Sequence, residues 1–389
     1  MEAIIKRCLQ FINNDSAISN YLIRFIFNII YYRRSKIAKI KDYEFINGKE
    51  LIEGSIFESF PPISGKCEVQ KSIKTPTPDV KLFKFNNALI HADSSSILIG
   101  SNLLVNRYQD ERYNEGFVKV HNQQYAKIKY DDVETISEGF FLGGNGSWNW
   151  YHYLIEILPK ILLYEKLPST ILISDVVKKF PTMQAALDLL IGDNCKIIYL
   201  SRNKSYRVGE LYYINNFNHL QFNRFDNQIL GIGTYYNKKI LTRFSDTLLR
   251  KINPDSRSDT KFFLYRKNTH RIAKNQEELK YFLEKEGFIT ICLEELTLEQ
   301  QVSIFYNATF IVGISGAAWT NLIFCRNKAK AICFIPDNAK EFSAFSNLAK
   351  LSGVEFYGSY YKNEGNHISN NFDLDLFTFK QLYSQINEL

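Results

Sequence analysis

The sequence predicts an α/β protein with parallel sheets that are covered by helices on both faces. Strand-like runs alternate with helix-like runs from Phe140 onward, and a polar stretch containing Pro254 interrupts the alternation at residues 252–260. The same alternation then begins again. A chain of 389 residues is also long enough for about two domains. We therefore expect two α/β units joined near residue 253.

The composition is that of a packed globular protein. Hydrophobic residues make up 45% of the chain and charged residues 23%, which excludes collagen-like and disordered classes. The net charge of +7 comes without an arginine-rich arm or zinc-finger spacing, so a nucleic-acid-binding module is disfavoured. The six cysteines form no CxxC pair and predict buried thiols in a reducing, cytoplasmic compartment.

The N-terminal segment, residues 1–60, is predicted to be helical. Its second helix, over Ala17–Ile37, is apolar on one side and ends in basic residues. Residues 17–41 therefore either contact the inner face of the cell membrane or pack on the protein with a solvated basic end. The apolar run Tyr21–Tyr32 is too short to span a bilayer, and the N-terminus lacks a signal-peptide layout.

Residues 61–252 are predicted to form the first α/β domain. Short alternating runs between Val80 and Tyr130 predict a small antiparallel region. A glycine-rich loop, Gly143–Gly146, then leads into a helix over Trp148–Lys166. The later strands are predicted at residues 170–174, 196–200 and 210–214, and the later helices at residues 182–191 and 222–251.

Residues 253–375 are predicted to form a second, Rossmann-like domain, and residues 376–389 a C-terminal helix. The strands are expected at residues 261–265, 288–292, 309–313 and 329–335, and the helices at residues 276–286, 298–307, 343–352 and from Gly316. Parallel sheets of this kind bind ligands outside the carboxyl ends of their strands. The residues that follow these strands are therefore the first candidates for a binding site.

The loop Gly313–Asn321 joins a buried strand to a helix through small residues. Bare backbone and the unpaired N–H groups of a first helical turn favour a phosphate-bearing ligand. The predicted ligand contacts are Ser315, Gly316, Ala317, Thr320 and Asn321. The alternative is tight packing of the helix on the sheet, which also needs small residues.

A basic segment follows the first strand of the second domain: Arg266, Lys267, His270 and Arg271. Guanidinium groups match phosphate oxygens in a bidentate way, and this strand end is the edge where such a sheet binds its ligand. We predict that Arg266, Lys267 and Arg271 bind the same ligand. The alternative is a solvated charged loop.

The helix after the glycine-rich loop carries polar residues at helical spacing. Asn149, His152 and Glu156 stand at i, i+3 and i+7 and share one face of an otherwise apolar helix. His152 and Glu156 can therefore form a general base that is oriented by a carboxylate. The alternative is a helix cap followed by a core histidine. The acidic pair Asp373 and Asp375 lies beyond the last predicted strand, and we predict no metal site there.

Together these stretches resemble glycosyltransferase family 61 over roughly residues 85–360. The resemblance rests on Asn149, His152, Glu156 and Pro159, followed by Arg266, Arg271, Asn275, Leu279, Gly287-Phe288, Glu299-Gln300 and the Gly313–Asn321 loop. One position departs from the family pattern, since Ser315 stands where family members usually have histidine.

The resemblance implies a GT-B-like architecture, in which two Rossmann-like domains face each other across a cleft. Residues 61–252 would then hold the acceptor, with Asn145, Trp148 and Asn149 on that side, and residues 253–375 would hold the donor. The resemblance further implies an inverting reaction without a metal or cofactor. In this scheme His152 is the base, with Glu156 orienting it or serving instead, and Glu138 and Asp132 are reserve candidates.

The expected function is transfer of a sugar from a nucleotide-sugar, with UDP-sugar as the expected donor, to a bacterial capsule or lipopolysaccharide glycan. The acceptor would be a glycan or lipid-linked glycan at the inner face of the membrane. The alternative is a catalytically inactive protein of the same fold that binds a nucleotide-sugar or a glycan, with Ser315 marking the lost activity.

Overall fold

The structure is a computed structural model that describes most of the chain. The described residues are 32–39, 49–64, 72–106, 117–121, 125–129, 133–163, 170–192, 195–220, 234–256, 259–267, 272–326, 328–362 and 372–387. They form two sheets with flanking helices and one short two-stranded ribbon. This mixed α/β architecture with parallel strands agrees with the fold class that the sequence predicts.

The strands of the first sheet and of the ribbon come first in the chain. They are β1 (Tyr32–Lys39), β2 (Lys49–Ile52), β3 (Ile56–Ser59), β4 (Ile73–Pro76), β5 (Val80–His91), β6 (Ile97–Ile99), β7 (Asn102–Val105), β8 (Val118–His121), β9 (Tyr125–Lys129), β10 (Val133–Phe141), β11 (Thr170–Ser174), β12 (Lys196–Leu200) and β13 (Ser205–Ile214). The predicted antiparallel region between Val80 and Tyr130 is confirmed, because β5, β6 and β7 pair in antiparallel order, as do β8 and β9.

The remaining strands and the regular helices build the rest of the fold. The strands are β14 (Thr260–Leu264), β15 (Ile289–Ile291), β16 (Ala308–Ile314), β17 (Lys330–Pro336) and β18 (Glu355–Tyr361). The helices are α1 (Pro181–Asp188), α2 (Lys238–Ile252), α3 (Gln276–Lys285), α4 (Leu298–Tyr306), α5 (Ala344–Leu351) and α6 (Leu376–Asn387). Shorter helical segments cover His152–Ile157, Leu158–Leu163, Asp175–Lys179, Leu293–Glu295, Ala317–Phe324 and Asp337–Ala339.

The first sheet has eleven strands, and its parallel part follows Rossmann order. The strands run β12-β11-β10-β13-β5-β6-β7-β1-β9-β8, with β2 paired to β5. Within the set β12-β11-β10-β13 all pairs are parallel, and the chain direction along the sheet reverses between β10 and β13. Ligands bind at such a reversal, outside the carboxyl ends of the strands. The glycine-rich loop leaves β10 at this point.

The second sheet has five parallel strands in the order β15-β14-β16-β17-β18. This is the doubly wound order in which the first strand has the second on one side and the third on the other. The reversal therefore lies between β14 and β16. Arg266 follows one of these strands and Ser315 follows the other, so Arg266 of the predicted basic segment and the small-residue loop meet at the reversal point.

The prediction of a helical N-terminal segment over residues 1–60 is wrong for its described part. Residues 32–39 form β1, which lies between β7 and β9, and residues 49–52 and 56–59 are also strands. Residues 32–39 include only three apolar residues, Tyr32, Ile37 and Ala38, and so few do not distinguish a helix from a strand by periodicity. Pairing on both sides satisfies the backbone of β1 within the sheet. The rest of the segment, including most of the predicted membrane contact at residues 17–41, lies outside the described residues.

Local capping explains where two of the helices begin and end. The Asn237 side chain accepts a hydrogen bond from the Ile240 N–H (3.1 Å) at the start of α2, and Asn253 ends it in the left-handed conformation with φ 49°. A capping box of Thr297 and Gln300 starts α4. The helix predicted over residues 222–251 is thus a helix over Lys238–Ile252 in its described part.

One hydrophobic cluster joins the two α/β units. Helix α1 contacts α4, and α2 contacts both α4 and the segment Ala317–Phe324. The fully buried members of this cluster come from both units and include Tyr153, Leu187, Phe244, Phe262, Val302 and Trp319. Within the ranges given above, no helix is both long and apolar enough to cross a membrane.

Candidate active site

A cavity of about 200 Å³ lies where the two units meet. One wall is formed by Asn149, Tyr151 and His152, which follow β10, and the opposite wall by Ser315–Ala317, which follow β16. The remaining lining is largely apolar and consists of Leu220, Ile335, Pro336, Ala339, Phe342 and Phe345. The cavity thus brings together the ends of strands at the reversal points of both sheets.

His152 and Glu156 form a buried hydrogen-bonded pair on the first wall. The His152 Nδ1 atom lies 2.8 Å from Glu156 Oε2, and each residue is only 6% exposed. The other carboxylate oxygen accepts the Leu220 backbone N–H at 2.7 Å. An ionised carboxylate only accepts hydrogen bonds, so Nδ1 carries the hydrogen and the lone pair lies on Nε2. The pair can therefore take up a proton at Nε2 while the carboxylate stabilises the resulting imidazolium.

The segment that carries this pair is helical but irregular. The sequence predicts a regular helix over Trp148–Lys166, whereas the structure has a π-turn over His152–Ile157 followed by a 3₁₀ segment. Pro159 has no N–H to donate to the carbonyl of Ile155. That carbonyl instead accepts the side-chain amide of Asn218 at 2.7 Å. The proline therefore gives a physical reason for the irregular turn, and π-turns of this kind are frequent at functional sites.

The glycine-rich loop packs directly against the imidazole. Gly146 has a φ of 75°, and a Cβ atom built on it would lie 2.6 Å from His152 Cδ2. Two hydrogen bonds attach the loop to the segment Asp93–Ser96. Ser95 Oγ accepts the Asn145 N–H at 3.1 Å, and the Ser147 hydroxyl donates to Asp93 at 2.5 Å. The predicted acceptor-side residues Asn145, Trp148 and Asn149 all belong to this loop or follow it, and of the three Asn149 lines the cavity.

On the opposite wall, Arg266 and the Ser315–Gly316 turn are in direct contact. Arg266 Nη2 donates to the carbonyl oxygen of Ser315 at 2.6 Å and to that of Ile314 at 3.3 Å. A Cβ atom on Gly316 would lie 1.9 Å from Arg266 Nη2, so the glycine makes room for the guanidinium. The Ser315 N–H donates to the Phe334 carbonyl on β17 (2.9 Å), which fixes the turn on the sheet.

Residues 150–332 match the family model of Glycosyltransferase 61. The match supports membership of glycosyltransferase family 61. It begins two residues before His152 and ends within β17, so it contains both cavity walls except Asn149. No curated protein matches the chain at a significant level. The family match supports a glycosyltransferase, which acts on a sugar donor and a glycan acceptor.

The other predicted donor contacts have different surroundings. Lys267 is half-exposed and pairs with Glu295 Oε1 at 2.6 Å, and this hydrogen bond raises the pKa of the Lys267 ammonium group. Ala317 lines the cavity. Thr320 is fully buried, and its hydroxyl has no hydrogen-bond partner among the described residues. Arg271 lies outside the described residues.

Asn321 connects the two units instead of lining the cavity with Ser315. Its Oδ1 atom accepts the Trp150 indole N–H at 2.8 Å, and its amide group donates to Gln301 Oε1 at 3.1 Å. Gln301 donates in turn to the carbonyls of Leu293 (2.8 Å) and Leu296 (3.2 Å). The amide predicted to contact the donor is therefore bound to two protein groups.

Sequence patterns missed the residues that support the first wall. Asp93, Ser95 and Arg202 are distant in sequence from the glycine-rich loop, and Leu220 supplies only a backbone group to Glu156. The one available signal was the polar run Asp93–Ser96 between two strands, which resembles an ordinary turn. Of the reserve bases, Glu138 is exposed on β10 and Asp132 lies outside the described residues.

Two further observations concern other kinds of site. In the part of the chain that the structure describes, no three His, Cys, Asp or Glu residues come together in a group able to hold a metal ion. A larger cavity, of about 1180 Å³, is lined by the polar face of α2 and contains none of the predicted site residues. The cavity of about 200 Å³ is the candidate active site, because His152 and Ser315–Ala317 line it and these residues lie within the family match.

Proposed function

We propose that this chain is an inverting, metal-independent glycosyltransferase of GT-B-like architecture. Its donor is a nucleotide-sugar, with UDP-sugar as the expected class, and its acceptor is a bacterial capsule or lipopolysaccharide glycan. One observation carries the proposal: the buried His152–Glu156 pair faces the Ser315–Gly316 turn across a single cavity. A proton acceptor and a candidate diphosphate-binding turn are the two groups that an inverting transfer requires.

In the proposed reaction His152 acts as the general base. Its Nε2 atom takes the proton of an acceptor hydroxyl while that oxygen attacks the anomeric carbon of the donor from the face opposite the leaving group. The bond from the anomeric carbon to the diphosphate breaks, and the nucleoside diphosphate leaves with the electron pair. Glu156 stabilises the imidazolium through the Nδ1 hydrogen bond.

The second wall is proposed to stabilise the leaving diphosphate. Arg266 places a guanidinium beside the Ser315 carbonyl, and the helical segment Ala317–Phe324 begins directly after the turn. A cation and a first helical turn both favour negative charge at this point. The cavity volume of about 200 Å³ is below the range of roughly 300–1,000 Å³ typical of ligand pockets. The enclosed part therefore fits the reacting sugar, with the nucleotide extending out of it.

The test of donor binding is calorimetry with UDP on wild-type protein and the Arg266→Ala variant. Loss of a charge-assisted contact, worth about 1.5–3 kcal/mol, should weaken UDP binding by about tenfold or more. Lys261→Ala is the matched control, because it removes a positive charge from the opposite end of the same strand. Equal UDP affinity in wild type and Arg266→Ala would contradict the donor-site assignment.

The alternative, a binding protein without turnover, is favoured by one observation, the serine at position 315 where the family resemblance predicts histidine. The two functions differ in a direct measurement. Incubation with a panel of nucleotide-sugars and glycan acceptors should release nucleotide if the His152–Glu156 pair is active. Binding of a nucleotide-sugar without any release would support the alternative.

Gly146→Ala is expected to lower turnover by about tenfold without abolishing folding. The left-handed backbone costs an alanine roughly 1–2 kcal/mol, and the new methyl group would push against the imidazole of His152. Nucleotide release under saturating donor measures the effect. Gly100→Ala is the matched control, because Gly100 also has a positive φ (58°) but no atom within 4 Å of the added Cβ. A similar loss of turnover in both variants would show that backbone strain alone is responsible.

A further inference from the structure

Arg202 is a partly exposed arginine that is held in place by buried groups. Its Nε–H donates to Asp93 Oδ2, while the other oxygen of Asp93 accepts the Ser147 hydroxyl at 2.5 Å. Asp93 is only 4% exposed. Because both carboxylate oxygens are bound, Asp93 orients the guanidinium through one edge only.

An aromatic ring packs against one face of the guanidinium. Its central carbon lies 4.8 Å from the ring centroid of Trp148, within the range of a cation–π contact. The Arg202 side chain is nevertheless 37% exposed, and its two Nη groups have no hydrogen-bond partner among the described residues. The result is an oriented pair of N–H donors, covered on one face by indole and open at the outer edge.

The glycine-rich loop links this guanidinium to the active site. Ser147, which binds Asp93, follows Gly146, the residue that packs against His152. Trp148, which lies under the guanidinium, precedes Asn149, which lines the cavity. Arg202 thus contacts the glycine-rich loop through Asp93 and Trp148, and the same loop packs against the proposed base. The candidate diphosphate site belongs to the opposite wall.

We propose that Arg202 is a specificity residue that binds an oxyanion on the acceptor, so that the preferred acceptor is an acidic sugar. The planar fork of an arginine matches a carboxylate or a phosphate with two parallel hydrogen bonds. The acceptor is then a sugar acid or a phosphorylated sugar, and its charged group sets its position relative to His152. This inference rests on the proposed glycosyltransferase function, since it assigns the acceptor of the same site.

Trp148 offers a direct spectroscopic readout. The chain has three tryptophans, and the indoles of Trp150 and Trp319 donate to Asn321 Oδ1 and the Ile314 carbonyl. The indole N–H signal of Trp148 in the NMR spectrum can be assigned by its absence in Trp148→Phe. We expect it to shift on titration with methyl β-glucuronide or with the 6-phosphate of methyl β-glucoside, and not with neutral methyl β-glucoside or with UDP. A response to only one of the two charged probes identifies that oxyanion.

The decisive variant is Arg202→Lys, which keeps a positive charge beside Asp93 and removes the fork. We expect it to fold and to bind the charged probe about tenfold more weakly or worse. Arg202→Ala should do the same if it folds. Lys204→Ala removes a nearby positive charge that pairs with Glu134, and it should titrate like wild type. An unchanged titration in Arg202→Lys, an equal response to the neutral glucoside, or no shift with either charged probe would each overturn the proposal.

Nucleotide release separates this inference from the proposed function. If wild-type protein releases nucleotide and Arg202→Lys loses no preference for acidic acceptors, only the acceptor assignment fails. If no donor is turned over with any acceptor, the proposed function fails, whereas a charged-probe shift that depends on Arg202 would still establish the oxyanion site.

Discussion

Replacement of His152 by alanine is expected to lower kcat by about 100- to 10,000-fold, the range typical of a lost general base. The affinity for UDP should remain unchanged, because the candidate diphosphate contacts lie on the opposite wall of the cavity. Single-turnover nucleotide release measures the first effect and calorimetry the second. A thermal melt of the variant serves as the folding control.

Glu156→Gln tests the other half of the pair with almost no change in volume. The amide can still accept the Leu220 N–H but no longer offers a negative charge to the imidazolium. Turnover should therefore fall by about 100-fold, the lower end of the range for acid–base groups. Wild-type turnover in both His152→Ala and Glu156→Gln would show that the base is another residue.

Asn321→Ala is expected to destabilise the folded protein by about 2–5 kcal/mol. It leaves the buried Gln301 Oε1 and the half-buried Trp150 indole N–H without their present partner, and an unsatisfied buried polar group costs about 1–3 kcal/mol. Urea denaturation measures the loss. Gln301 donates through Nε2 to two carbonyls, so its Oε1 must be the acceptor, and this orientation fixes the direction of the whole chain of hydrogen bonds.

A double-mutant cycle separates the Asn321 contact with Trp150 from other effects. In a Trp150→Phe background the indole donor is absent, so Asn321→Ala should cost less by the energy of that contact. The folded Asn321→Ala variant should keep the UDP affinity of wild type. A loss of UDP affinity in that variant would instead support the sequence-based prediction that Asn321 binds the donor.

Elements with strong periodicity were predictable to within a few residues. Strands β11 and β12 occupy the predicted ranges, and the capping box at Thr297 marks the start of α4. Strand β10 was missed because its first half is exposed and charged, so that only its last three residues form an apolar run. Strand β18 was missed because Gly358 interrupts it, and glycine weakens a strand pattern.

The candidate site was predictable where its residues are close in sequence. The i, i+4 spacing brings His152 to Glu156, and parallel strand ends bring Arg266 to Ser315. Asp93, by contrast, is 54 positions from its partner Ser147 and 109 positions from its partner Arg202. These hydrogen bonds form only because the order of strands in the sheet brings the three residues together. The hydrogen bonds of Asn321 with Trp150 and Gln301 likewise form only when the two units pack together.

The hydrophobic cluster shared by the two units has a consequence for how substrates enter and leave. Separating the units would bring the contact of α1 with α4 into water, at about 25 cal/mol for each Å² of apolar surface. We therefore expect substrate exchange to use smaller movements of the cavity wall and not a wide hinge opening. Phe342 and Phe345 pack edge to face and both line the cavity, so a rotation of their rings would change its width. We expect product release, and not the bond-forming step, to limit the turnover rate if exchange depends on these rings.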